Sequence, residues 1–146
     1  MILIVDANVI ISALIRDSTS RELLTISSFT FYSPDALLDS IEKYKEEFIE
    51  KSGLSREEFE TLLDFILEKV AIVKQEEYKS KLEQANEIIG KIDVEDINYV
   101  ALALSISNDG IWSDDKDFQK QNTIKIWTTK EVVKSTEEEH SEGKTI

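Results

Sequence analysis

Cysteine is absent from this chain, which removes disulfides, zinc–thiolate centres and thiol nucleophiles from consideration. That absence suits a reducing, cytoplasmic setting. The single histidine, His140, lies in an acidic C-terminal stretch and is a poor candidate for a general base. Proline occurs once and glycine four times, and no Gly-rich phosphate loop is present. No apolar run reaches membrane length: MILIVDANVIISALIRD loses its apolar character at Asp6 and has no basic region before it, so it reads as neither signal peptide nor span. Basic residues are scarce too, 17 against 30 acidic ones, for a formal net charge of −13. Such acidity argues against broad, non-specific affinity for nucleic acid, but not against a nuclease, because a bound cation reverses the local sign.

What remains is an ordinary globular composition, 41% hydrophobic over 146 residues, enough for one domain with a real core. The domain is expected over residues 1–134. The tail from 135 to 146, STEEEHSEGKTI, has little to bury and is expected to be mobile. Residues 2–5, Ile-Leu-Ile-Val, form the continuous apolar run of a strand buried on both faces. Helical spacing follows through Val9, Ile10, Ala13 and Leu14, and a short helix is expected over 21–26. FTFYS at 29–33 reads as a second strand, and Pro34 suits the first turn of one long helix through Leu37, Ile41, Tyr44 and Phe48. Ser55 and Glu58 form a capping box ahead of another helix. VAIV at 70–73 is a third strand, 78–89 a helix ended by Gly90, and 93–107 the next helix. Residues 110–112 and 123–127 supply strands four and five, with a short helix near Lys116 and a last one over 129–134. Strands alternate with helices, which predicts an α/β fold with a parallel sheet.

In such sheets, sites form beyond the carboxyl ends of the strands. Asp6 follows strand one directly, Asp114, Asp115 and Asp117 follow strand four, and Asp96 stands in the first turn of the helix leading into strand four. Carboxylates held together destabilise one another unless protons or cations compensate. An all-oxygen donor set without His or Cys selects Mg²⁺ or Mn²⁺, and the chemistry left is metal-assisted attack of water on a phosphodiester. Plainer readings exist. Asp93 with Asp96, and Asp114 with Asp117, have the spacing of helix caps. Asn8 can cap the first helix, which leaves Asp6 without a structural use. Lys116, Lys120, Lys125, Lys130 and Lys134 read either as phosphate contacts or as a solvated face, and Trp112 and Trp127 as core.

Taken in order, ILIVDANVIISAL, DVEDINYVALAL and IWSDDKDF resemble the PIN domain family over residues 1 to about 130. The resemblance implies a three-layer α/β fold, with a five-stranded parallel sheet flanked by helices. It implies a Mg²⁺- or Mn²⁺-dependent ribonuclease acting on RNA, often a homodimer, and often the toxin of a prokaryotic pair with an antitoxin protein as partner. Matched motif by motif, it makes Asp6, Asp96 and Asp115 metal ligands and catalytic acids, with Asp117 a further catalytic acid. Ser113 and Asn8 fall at polar positions beside them, and Asp114 shares their run. One position departs: PDALLDSIEKY places Ser40 where the family usually has a glutamate. A competing reading is therefore a PIN-like RNA-binding or protein-interaction module with little or no catalysis. A haloacid-dehalogenase-type phosphatase would need an aspartate at position 8, which is Asn8, and a response-regulator receiver would need one after VAIV, where none stands.

Overall fold

The structure is a computed structural model describing residues 1–16, 18–26 and 28–144, with side chains described except at 26 and 139–144. Successive residues of β1 (Ile2–Val5) face opposite ways and are apolar on both sides. Leu3 and Val5 enter one core, with Val9, Ile10 and Leu14 of α1 (Ala7–Ile15), while Ile4 enters the other, with Val100 and Leu102 of α8 (Ile97–Ser105). A strand buried on both faces is the reason the run carries no polar alternation.

The remaining strands, β2 (Thr30–Pro34), β3 (Val70–Val73), β4 (Ile111–Trp112) and β5 (Ile126–Trp127), join β1 in a five-stranded parallel sheet of order β3-β2-β1-β4-β5. The first core is covered by α1, α2 (Thr19–Ile26), α3 (Ala36–Lys43), α4 (Lys45–Ser52), α5 (Arg56–Leu67) and α9 (Thr129–Lys144). The second is covered by α6 (Gln75–Tyr78), α7 (Leu82–Ala85) and α8. The expected three-layer α/β fold is present.

Several boundaries differ from the sequence expectation. Pro34 is the last residue of β2, paired with Val73, and not a helix start. The long helix after it is two helices, because Tyr44 adopts φ −112°, ψ 15° between α3 and α4. The expected helix over 78–89 is α6, a 3₁₀ turn, α7 and a π-turn at Asn86–Gly90. Asn8 caps nothing, since α1 already begins at Ala7 with Asp6 at the N-cap position. The last helix runs on to Lys144 rather than stopping at 134. The side chain of His140 and residues 145–146 lie outside the described residues. The Ser55–Glu58 capping box is present, with both reciprocal bonds.

Strand order reverses between β1 and β4, and the carboxyl ends of those two neighbours lie side by side, with Val5 opposite Trp112. Such a reversal is where an open α/β sheet leaves a crevice for a ligand.

Candidate metal centre

Asp6 leaves β1 in extended conformation and caps no helix with its side chain. Its Oδ2 instead accepts a 2.7 Å bond from Ser113 Oγ, across the β1–β4 boundary. Both residues are buried, Asp6 at 3% exposure and Ser113 at 0%. Ser113 Oγ accepts in turn from the Asp115 N–H at 3.0 Å, and Asp115 Oδ1 accepts from the Asp117 N–H at 2.9 Å. The turn after β4 is thus a chain of bonds that starts at Asp6. Asp115, and not Asp114, caps the 3₁₀ helix Lys116–Lys120.

Asp96 ends a short 3₁₀ turn, Val94–Asp96, and sits at the N-cap of α8 without making a side-chain cap bond. It is buried at 5% exposure, and its Oδ2 has no hydrogen-bond partner in the structure. A buried carboxylate oxygen left so is costly unless something else satisfies it. Asp93 does cap, accepting from the Glu95 N–H at 3.0 Å.

Oxygens of Asp93, Asp96, Asp115 and Asp117 all lie within 4.8 Å of one another. Asp6 is not one of that set, yet it belongs to the same electrostatic unit. Burial raises the Asp6 pKa to about 6, the Ser113 hydroxyl pulls it back, and the Asp115 charge pushes it up. Asp96 is pushed further, to about 8, by burial first and then by Asp6, Asp93, Asp115 and Asp117. The donor set fits a hard divalent cation: oxygens on a common shell at about 2.0–2.6 Å from a centre stand at most about 4–5 Å apart. A cation would also satisfy Asp96 Oδ2 and relieve the repulsion that both raised values record.

The other expected residues are placed apart from this cluster. Asn8 and Ser40 line a neighbouring groove of about 520 Å³, together with Tyr44, Glu95 and Asn98. Ser40 Oγ donates to its own helix, at Ala36 O, 3.2 Å away. Asp114 is exposed and turns to α9, where Oδ1 accepts from the Thr129 N–H at 2.7 Å. Lys120 pairs with Asp117 at 3.0 Å, and Lys125 stacks over the Trp127 ring at 4.3 Å.

Three residues near the site escaped the sequence reading. Asp93, whose spacing predicts only a cap, is one and is also a member of the cluster. Ser33 is buried on β2, donating to Val5 O at 3.0 Å. Tyr99, three residues after Asp96 on α8, is buried with its hydroxyl unpartnered, and burial and the Asp6 charge hold it protonated. A tyrosine on an otherwise aliphatic face was the available signal for it. No curated protein matches this chain. The family model described as PIN domain matches residues 4–137, nearly the whole length.

Proposed function

This chain belongs to the PIN domain family, a nuclease-type fold, and on that footing we propose that it is a divalent-metal-dependent endoribonuclease. The carrying observation is the convergence of Asp93, Asp96, Asp115 and Asp117 within 4.8 Å, beside the partnerless Asp96 Oδ2. Asp96, Asp115 and Asp117 would hold Mg²⁺ or Mn²⁺, with Asp93 as a fourth donor and Asp6 behind them. When bound, such a cation supplies Lewis acidity and charge neutralisation at a phosphodiester. The protein's share is orientation. Ser113 fixes the orientation of the buried Asp6 carboxylate through Oδ2. The bonds from Ser113 to Asp115 and from Asp115 to Asp117 set those carboxylates before any ligand arrives.

RNA as substrate, action as the toxin of a toxin–antitoxin pair, an antitoxin partner, a homodimer and a cytoplasmic location are parts of this proposal. Among the described residues no helix is long and apolar enough to cross a membrane. Single-stranded RNA incubated with the purified chain and Mn²⁺ should be cut, and Asp96→Asn should reduce cutting by about 100-fold or more. No cutting by the unaltered chain, or undiminished cutting by the variant, sinks the proposal.

One observation favours a second reading, a PIN domain that binds RNA or protein with little catalysis. Ser40 turns its hydroxyl onto Ala36 O and adds no charge where the family's usual glutamate would. That reading expects weak Mg²⁺ binding by calorimetry.

A further inference from the structure

The first aspartate of SDDKD, Asp114, faces away from the acid cluster, and its partners are specific. Both Asp114 oxygens bind Thr129: Oδ1 accepts from the backbone N–H at 2.7 Å, and Oδ2 accepts from the hydroxyl at 2.5 Å. The same hydroxyl oxygen accepts from Trp112 Nε1 at 3.0 Å. Trp112 is fully buried and packs on Phe31 at 5.7 Å between ring centres. An exposed loop carboxylate is therefore bolted through one threonine to an indole in the core.

Capping α9 accounts for only the bond to the Thr129 N–H, not for the second bond to its hydroxyl. That helix has its own box, in which Thr128 Oγ1 accepts from the Glu131 N–H at 3.2 Å and Glu131 Oε1 accepts from the Thr128 N–H at 3.1 Å. Asp114 is flanked instead by Ser113, which orients Asp6, and by Asp115, whose carboxylate lies in the cluster. The turn has two anchorages, Ser113 on Asp6 inside and Asp114 on Thr129 outside. Both anchors stand immediately before Asp115, and the bonds from the Asp115 N–H to Ser113 Oγ and from the Asp117 N–H to Asp115 Oδ1 carry that restraint on to the two acids.

We infer that Asp114 and Thr129 are positioning residues: they lock the acid-bearing turn to the start of α9 and so hold Asp115 and Asp117 in register for a divalent cation. This deepens the metal-dependent reading above and rests on it for its functional meaning. Outer partners of this kind set ligand orientation without touching the metal.

The test compares Asp114→Ala and Thr129→Val, which break the lock, with Thr129→Ser, which keeps the hydroxyl. Val132→Ala is the control, a buried residue one turn on in α9 that has no part in the lock. Amide hydrogen exchange of Asp115 and Asp117, read by NMR without metal, should quicken about 10-fold or more in the two breaking variants and stay as in the unaltered chain in Thr129→Ser and Val132→Ala. Mn²⁺ affinity by calorimetry should fall about 10- to 100-fold in the same two variants alone. Unchanged exchange at both amides, or equal loosening in Val132→Ala, overturns the lock. Faster exchange with unchanged Mn²⁺ affinity overturns its positioning role. Faster exchange in a chain that binds no Mn²⁺ at all upholds the lock and removes the metal reading instead.

Discussion

Asp96 carries opposed demands at the scale of one residue. Its burial and its four acidic neighbours raise its pKa from 3.8 to about 8, and Asp6 rises from the same value to about 6. Both carboxyls bind protons more tightly folded than unfolded. From about pH 4 upward the folded chain therefore holds the extra protons, and stability falls as pH rises through 6 and then 8. Thermal melting in EDTA should show this decline between roughly pH 5 and pH 8, and Mn²⁺ should reverse it, because a cation replaces the protons. Asp96→Asn should flatten the decline and raise the melting temperature in EDTA at pH 8 by several degrees, for about 1–2 kcal/mol at roughly 3–5 °C each. The same variant should gain nothing from Mn²⁺. A buried carboxylate that costs the fold stability is what the proposed metal site would require of Asp96.

Elements differ in how far they can be disturbed without reaching that site. Ser55→Ala opens the capping box of α5, which lies on the first core's helical layer. It should cost about 1 kcal/mol of stability in urea unfolding and leave Mn²⁺ affinity alone. Gly110 is less forgiving. It has φ 135°, and a Cβ there would stand 2.5 Å from Lys125 O and 2.9 Å from the Trp127 ring. Gly110→Ala should cost more than about 1 kcal/mol and loosen the β4–β5 pairing, seen as lost amide protection at Ile111. The same contrast explains what was legible in the chain. Continuous apolar runs such as ILIV, and the Ser55–Glu58 spacing, announce themselves locally, so the strands and that capping box are legible nearly in place, while the expected caps at Asn8 and Asp114 are not found. Tyr44 breaks a helix whose apolar spacing runs straight through it, because the spacing records burial and not backbone angle. Asp114 and Asp115 are adjacent and of one residue type, so which of them locks and which faces the cluster depends on Thr129, fifteen positions beyond Asp114. No local pattern holds that information.

On the scale of the whole molecule, the net charge of −13 would oppose the approach of the proposed RNA substrate. A basic binder loses affinity as salt rises; here the long-range force is repulsive, and salt screens it over about 10 Å at 0.1 M. Cleavage at sub-saturating RNA, with Mn²⁺ fixed, should therefore quicken as KCl is raised from low concentration towards about 0.15 M. The sheet order has a consequence of another kind. Asp6 meets Ser113 across 107 positions of chain, and β1 has no β4 beside it until those positions exist. At about 5–20 residues per second, a ribosome needs roughly 5–20 s to travel that distance. Throughout that interval the growing polypeptide carries Asp6 but no partner for it. An activity directed at RNA would thus be withheld from the messenger and the machine that are making it until the last strands emerge.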